Sequence, residues 1–257
     1  MKHFLVLALA IACAQAEPMQ GRITNGHAAA EGQFPYQVGL SIAKAGDTFF
    51  CGASIIGNQW LLTAAHCIVG ADNAIVYYGA TQRTTAKLYQ VVYPAGFIPH
   101  PDYTAKPLTN DIALIKTPVI AFSAYINKVQ LPALASSYAT YAGQQAIASG
   151  WGFTSQWDFD YANTLQYTSL SIISAAKCED AYGKVEASSK VLCVATPNKS
   201  STCSGDLGGP LVLSSSKQLV GVASFTHIYG CERGEPAGFA RVTSYLHWIK
   251  EVSGISY

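Results

Sequence analysis

Charged residues are scarce in this sequence, and their two signs nearly cancel. Asp, Glu, Lys and Arg make up 12% of the 257 residues, and sixteen basic residues against fifteen acidic ones give a net charge of +1. Bulk charge therefore does not recruit nucleic acid. Intrinsic disorder needs low hydrophobicity with high net charge, whereas 50% of these residues are hydrophobic. The composition predicts a folded protein of one large domain or two small ones.

Long apolar runs are absent from the interior of the sequence. A membrane-spanning helix needs about 20 apolar residues, and the one extended run, residues 4–12, is shorter and lies at the amino terminus. This run follows Lys2 and His3 and precedes Ala14-Gln15-Ala16, an order typical of an export signal that is cleaved after Ala16. A retained anchor is the alternative, which the length of the run disfavours. We expect a secreted, extracellular protein that does not contact membranes.

The sequence also lacks CxxC pairs and any cysteine–histidine cluster with zinc-finger spacing. Cys13 lies in the predicted export signal, so the exported chain keeps the cysteines at positions 51, 67, 178, 193, 203 and 231. Six cysteines in an oxidising compartment predict three disulfides, with about 15 possible pairings.

Short β-branched and aromatic runs, separated by glycine and proline, predict an all-β body. The end of the chain differs, because apolar residues at 245, 248, 249 and 252 form a helical stripe. Thr243-Ser244 before the stripe and Gly254 after it predict the cap and the end of a C-terminal helix. Residues 131–143 are rich in small side chains and predict a junction between two halves.

Four segments point to chemistry, although each is weak by itself. They are residues 62–67 (LTAAHC), 110–115 (NDIALI), 203–210 (CSGDLGGP) and 22–26 (RITNG). A lone buried histidine, for example, is more often a satisfied core residue. Together and in this order, the segments resemble the chymotrypsin-like serine proteases over residues 23–257. Within that family the sequence is most similar to the digestive chymotrypsin- or elastase-like enzymes of insects, the Jonah group.

The resemblance implies two six-stranded antiparallel β-barrels with a C-terminal α-helix and an active site between the barrels. It implies residues 17–22 as an activation propeptide and residues 23–257 as the protease domain. It makes His66 the general base and Asp111 the group that fixes the tautomer of His66. The backbone N–H groups of Gly205 and residue 207 would form the oxyanion hole. The implied disulfides are Cys51–Cys67, Cys178–Cys193 and Cys203–Cys231.

The family's serine is missing from this sequence. Where the family has Gly-Asp-Ser-Gly-Gly-Pro, the chain has Gly205-Asp206-Leu207-Gly208-Gly209-Pro210. Leucine has no lone pair and no transferable proton, so it forms no acyl intermediate. Ser204 is the nearest hydroxyl in sequence, and bringing it to His66 would require the glycine-rich loop to be remade. We therefore expect the nucleophile position to be chemically empty.

Other parts of the family pattern persist. Arg22-Ile23 resembles the zymogen cleavage site, and Asp206 matches the aspartate that pairs with the freed Ile23 amino group; an exposed Arg22 without this role is the alternative. Ser201 falls at the floor of the substrate pocket, so no carboxylate attracts Lys or Arg. The pocket walls are predicted at Ser224, Phe225, Thr226 and Ala237, and they favour small or medium apolar groups.

The sequence predicts neither a metal site nor a cofactor. No Asp or Glu occurs between Asp72 and Asp102, the segment where calcium-binding relatives supply carboxylates. Asn198-Lys199-Ser200 is an N-glycosylation sequon. The expected partners are a polypeptide substrate or ligand in the cleft and an activating trypsin-like protease, with the protein a monomer and its location, by resemblance, the gut lumen.

Three functional hypotheses follow from these residues. The first is a secreted, catalytically inactive or strongly impaired protease homologue with a binding or regulatory role. The second is an active chymotrypsin- or elastase-like endopeptidase in digestive proteolysis, with Leu207 a variant or a sequence error, since serine and leucine codons can differ by one base. The third is a relic without a molecular role. The sequence favours the first hypothesis, a protein of enzyme fold without enzyme activity.

Overall fold

The structure is a computed structural model, and it describes residues 26–153, 155, 160–186 and 188–257. The predicted export signal, the predicted propeptide and the Arg22-Ile23 pair lie outside the described residues. None of the helices in the described part has the length and apolar character needed to cross a membrane.

The described residues form sixteen strands and three α-helices. The strands are β1 (His27–Ala28), β2 (Gln37–Lys44), β3 (Asp47–Gly57), β4 (Trp60–Thr63), β5 (Asn73–Tyr78), β6 (Leu88–Val92), β7 (Phe97–Pro99), β8 (Thr104–Ala105), β9 (Leu108–Thr109), β10 (Ala113–Lys116), β11 (Gln145–Gly150), β12 (Gln166–Ser171), β13 (Val191–Val194), β14 (Pro210–Leu213), β15 (Leu219–Phe225) and β16 (Ala237–Arg241). The helices are α1 (Ala65–Ile68), α2 (Ala175–Glu186) and α3 (Leu246–Ser253).

The first half of the chain forms an antiparallel sheet with the strand order β6-β5-β2-β3-β4-β10-β7. The two end strands, β6 and β7, are neighbours in the chain, separated by a 3₁₀ turn at Pro94–Gly96. Proline has no backbone N–H to give to a ladder, so one stretch of chain is split into two strands. One part pairs with β5 and the other with β10, so the sheet curls around towards a barrel.

The second half forms another antiparallel sheet, with the order β1-β12-β11-β14-β15-β16-β13. A bridge between Ile172, just after β12, and Val194 at the end of β13 joins its two sides. The strand β1 is a two-residue addition that pairs with β12. The prediction of two curled antiparallel β-sheets with a C-terminal helix is confirmed, with seven strands in each sheet where six were expected. The chain passes between the sheets in the stretch from β10 to β11, which includes residues 131–143.

Alternating apolar residues fill the two barrels. Val38, Leu40 and Ile42 of β2 are fully buried and lie on one face of the strand. The first residues of the other face, Gln37 and Gly39, are buried as well. Burying each such side chain contributes about 1.5–3 kcal/mol. Phe239 of β16 and Leu211 of β14 belong to a core cluster formed by the second half of the chain. The cluster that contains Val38 also includes Val222 and Ile249, so the first core extends into the second half.

The C-terminal helix α3 ends at Gly254, whose φ of 74° is in the left-handed region and suits glycine. The predicted cap at Thr243-Ser244 is wrong. These residues belong to a 3₁₀ turn, and the helix begins after Tyr245, which makes no side-chain capping bond. The core explains the shift, because Thr243 and Tyr245 are both buried.

Candidate active site

Two paired strands bring His66 and Asp111 together. Strands β4 and β10 are antiparallel neighbours, with Thr63 opposite Ala113. The end of β4 therefore lies beside the start of β10. His66 follows β4 on the short helix α1, and Asp111 lies just before β10, so both side chains project from the same edge of the first barrel.

The histidine and the aspartate are in direct contact. His66 Nδ1 lies 2.8 Å from Asp111 Oδ2, and the backbone N–H of His66 donates to Asp111 Oδ1 over 2.9 Å. Asp111 is 3% exposed and His66 is 26% exposed. An acceptor at Nδ1 holds the imidazole proton there and leaves Nε2 free to take a proton. This is the arrangement of a general base with an orienting carboxylate.

Ser224 is a third member of this group, and its contact with Asp111 was not predicted from the sequence. The sequence predicted it at the pocket wall, and the structure adds a second contact, because its hydroxyl donates to Asp111 Oδ2 over 2.5 Å. The two residues are 113 positions apart in the chain, and no local pattern connects them. The hydroxyl replaces part of the hydration that the carboxylate loses on burial, and the carboxylate receives three hydrogen bonds in total.

The loop around Leu207 keeps a specific backbone shape. Leu207 O accepts a hydrogen bond from Gly52 N over 2.7 Å, and Gly208 N donates to Ala223 O over 2.7 Å. Gly205 and Gly208 have φ angles of 95° and 82°, values that residues with a side chain rarely adopt. A Cβ atom on Gly208 would also collide with Thr63 Oγ1 and the carbonyl of Gly52. The loop is therefore held tightly against β3 and β4 from the first barrel.

The backbone N–H groups of Gly205 and Leu207 donate to no acceptor in the described part of the chain. Two unused donors in one turn are a suitable site for a carbonyl oxygen that gains negative charge. The aromatic ring of Tyr161 covers Gly205, where a Cβ atom would lie 2.7 Å from the ring. Its hydroxyl accepts a hydrogen bond from Phe50 N.

The side chain of Leu207 is half-buried and carries no polar atom. Ser204, the nearest hydroxyl in sequence, is exposed, and its carbonyl accepts a hydrogen bond from Phe153 N over 2.8 Å. Its backbone is thus fixed at the outer side of the turn. The loop offers an intact backbone to a reacting group but no nucleophilic atom at position 207.

Asp206 lies in the interior beside this loop. It is 1% exposed, and its two carboxylate oxygens accept hydrogen bonds from Gly152 N over 2.6 Å and Cys203 N over 2.9 Å. Burial raises the pKa of Asp206 from 3.8 to about 7, although both hydrogen bonds act in the opposite direction. No cationic group of the described residues pairs with it. Arg22 and Ile23, the predicted activation residues, lie outside the described part.

The predicted pocket residues are uncharged and mostly buried. Ser201 is 1% exposed and donates to Thr202 O, and Ala237 is fully buried. Phe225 and Thr226, the other predicted wall residues, are half-buried at the end of β15. Phe225 lies opposite Gly238 of β16, next to Ala237. The edge of the Phe225 ring meets Tyr182, with ring centroids 5.1 Å apart.

Three disulfides tie the site to its surroundings: Cys51–Cys67, Cys178–Cys193 and Cys203–Cys231. The first clamps α1, which carries His66, to β3. Among the described His, Cys, Asp and Glu residues, one group of three has its potential metal-ligand atoms within 4.8 Å of one another: Cys51, His66 and Cys67. Because both sulfurs are bonded to each other, they supply no thiolate to a metal ion.

The predicted sequon residue Asn198 is exposed, in a 3₁₀ turn.

Comparison with known proteins agrees with this geometry. The family model described as Trypsin matches residues 23–249. The chain is 45% identical over 239 residues to Serine protease 1 of Drosophila melanogaster, which covers 93% of this chain and 88% of the relative. It is 38% identical to Collagenase of Hypoderma lineatum, over the full length of both chains.

A solved structure of HL collagenase gives the same result at the level of the fold. It superposes with a TM-score of 0.83 at 36% identity and covers 91% of this chain and 99% of the collagenase chain. Brachyurin of Leptuca pugilator is 35% identical and covers 91% of this chain and 100% of the relative. The chain therefore belongs to the trypsin family, the serine proteases of chymotrypsin fold.

Proposed function

We propose that this protein is a secreted member of the trypsin family that has lost, or nearly lost, its protease chemistry and that binds polypeptide in its cleft. The observation that carries the proposal is Leu207 at the nucleophile position, in a loop whose backbone is otherwise complete. His66 and Asp111 remain paired at 2.8 Å. The relatives named as proteases support polypeptide as the class of ligand.

The loss of the nucleophile removes the first chemical step. In an active relative the serine hydroxyl attacks the scissile carbonyl while the histidine takes its proton. Leu207 has neither an electron pair to form the bond nor a proton for His66 to accept. In subtilisin, the loss of the nucleophile alone lowers turnover about a million-fold. The rate enhancement that then survives is about 10³–10⁴ over the reaction in water, which is too little for digestion.

The remaining groups support binding. The unused N–H groups of Gly205 and Leu207 suit a peptide carbonyl, and the Phe225 side of the cleft is apolar. Without a counter-charge at Ser201, the pocket favours small or medium apolar side chains over Lys and Arg. A binding or regulatory role, in the digestive fluid of an insect-type gut, is the finer form of this proposal.

An active endopeptidase is the second candidate, and the intact His66–Asp111–Ser224 contacts favour it. A site that has drifted without any use has no reason to keep a buried carboxylate with three hydrogen bonds. In this candidate Leu207 is an allelic variant or a sequence error, and serine is the usual residue at this position. Sequencing the codon for residue 207 in independent individuals separates the two candidates, because the first requires leucine in all of them.

The direct test is covalent labelling of the wild-type protein, cleaved after Arg22, with an organophosphonate. These reagents bond to an activated serine oxygen, so we expect no mass increase and no hydrolysis of apolar peptide esters or amides above background. Leu207→Ser is the positive control, and His66→Ala in that background is the negative control. Stoichiometric labelling of the wild-type protein would overturn the proposal of an inactive homologue.

Peptide binding is tested separately by fluorescence anisotropy with a labelled peptide amide that carries leucine or alanine residues. We expect the cleaved wild-type protein to bind the peptide and leave it intact. Thr226→Trp, at the half-buried pocket wall, should abolish binding. Ser216→Trp, in an exposed turn between β14 and β15, is the matched control and should leave it unchanged. Equal binding by both variants would place the ligand outside the cleft.

A further inference from the structure

A small cavity lies in the second barrel, outside the cleft that holds His66. Its volume is about 130 Å³, and it is formed by the start of α2, by β13 and by the end of β16. None of the residues assigned to the cleft lines it. Its walls are mainly apolar and comprise Ala142, Ile173, Ala175, Val191, Leu192 and the Cys178–Cys193 disulfide.

Among the described residues, Arg241 is the one charged residue that lines this cavity. Its Nε atom is buried without a hydrogen-bond partner, and its guanidinium group forms no ion pair or hydrogen bond with the described residues. Burial lowers the pKa of Arg241, but a guanidinium stays charged in proteins. Arg241 as a whole is half-buried, but a buried polar atom nearly always has a hydrogen-bond partner. The cavity therefore offers the unused Nε donor of a cation that has no anion among the described residues.

Two hydroxyl groups complete the polar lining, those of Thr140 and Ser174. Thr140 is exposed at the mouth of the cavity. Ser174 precedes α2, and its Oγ accepts a 3.4 Å hydrogen bond from Lys177 N, which leaves the hydroxyl proton for another acceptor. Among the described residues no carboxylate lines the cavity, so no anionic side chain competes for these donors.

We propose that this cavity binds a short aliphatic carboxylate. A carboxylate accepts two parallel hydrogen bonds from the fork of one guanidinium, and the apolar walls cover a short hydrocarbon chain. The volume of about 130 Å³ is under half of the ~300 Å³ at the lower end of sites for drug-sized ligands, so the ligand has only a few carbons. A phosphate dianion fits less well, because a second charge would enter an apolar cavity without a second cation.

The test uses butyrate as the probe and the full-length secreted protein. Ligand-observed NMR at constant ionic strength measures saturable binding, for which we expect a Kd of about 1 mM. Arg241→Gln should weaken it at least ~10-fold, because a charge-assisted hydrogen-bond pair is lost. Arg233→Gln removes an exposed arginine elsewhere on the second barrel and should leave the Kd unchanged.

A second variant keeps the test valid if Arg241→Gln does not fold. Ala142 is exposed at the cavity, so Ala142→Leu should fold normally, narrow the cavity and weaken butyrate binding while Arg241 stays in place. Two further probes define the chemistry: 1-butanol and inorganic phosphate should both bind at least ~10-fold more weakly than butyrate. An unchanged Kd in Ala142→Leu, or equal binding of either probe, would overturn the proposal.

Discussion

At the scale of single residues, Asp206 matches the family's Gly-Asp-Ser-Gly-Gly-Pro motif, whereas its neighbour Leu207 departs from it. The backbone of Leu207 keeps its bond from Gly52 at 2.7 Å, so the change is confined to the side chain. Asp206 keeps its identity and its buried position, and burial raises its pKa to about 7. In the proposed function, the loop therefore keeps the carboxylate expected to pair with the Ile23 ammonium and lacks a nucleophile at position 207.

The raised pKa of Asp206 predicts a pH-dependent stability of the uncut chain, in which residue 23 has no free ammonium group. Because the folded-state pKa is above the unfolded value of 3.8, the stabilising contribution is complete below pH 4 and is lost as the pH rises through about 7. This pKa shift corresponds to a loss of roughly 4 kcal/mol at most in the free energy of unfolding.

Denaturant unfolding at pH 4, 6 and 8 checks this prediction, with Asp206→Asn as the comparison. The asparagine does not titrate, so the variant should gain stability relative to the wild-type chain as the pH rises. A constant difference between the two proteins across this range would contradict the raised pKa.

At the scale of elements, the turn from Cys203 to Pro210 depends on its packing against β3 and β4. Gly208 and Gly234 have the same φ of 82°, but a Cβ atom on Gly208 would collide with Thr63 and Gly52, whereas one on Gly234 would meet nothing within 4 Å. Alanine substitutions at these two glycines share the same backbone strain and differ in the packing around the added Cβ atom.

We predict that Gly208→Ala lowers the free energy of unfolding by about 1–3 kcal/mol more than Gly234→Ala does, because overpacking adds to the strain that both share. Urea unfolding of the two variants measures the difference, with equal m-values required for the comparison. Equal losses would mean that the loop moves away from the first barrel freely.

The elements also show which features of the fold and the site could be predicted from the sequence. Alternation in β2 and the stripe in α3 follow from local periodicity, so both were predictable. The cap of α3 was not, because burial of Tyr245 overrides the local preference for Ser244. The contact between Ser224 and Asp111 depends on the meeting of the two barrels, which one sequence does not encode locally.

At the scale of the whole molecule, two barrels meet around one cleft, and maturation should order it. If a trypsin-like enzyme cuts after Arg22, the new Ile23 ammonium is expected to pair with Asp206, since the buried carboxylate has no described cation partner. Amino-terminal sequencing of the secreted protein should then find Ile23 first, and Glu17 first in an Arg22→Gln variant. A native protein that begins at Glu17 would contradict this maturation.

The central claim is that the site has lost its nucleophile and little else. The most direct measurement is kcat/KM for an apolar peptide amide, with Leu207→Ser and wild type both cleaved after Arg22. We predict a rise of at least about a thousandfold, a part of the ~10⁶ that a nucleophile supplies, with small or medium apolar residues preferred and Lys or Arg disfavoured. A folded, cleaved Leu207→Ser protein that is inert on Ala-, Leu-, Phe- and Arg-type substrates would contradict the claim.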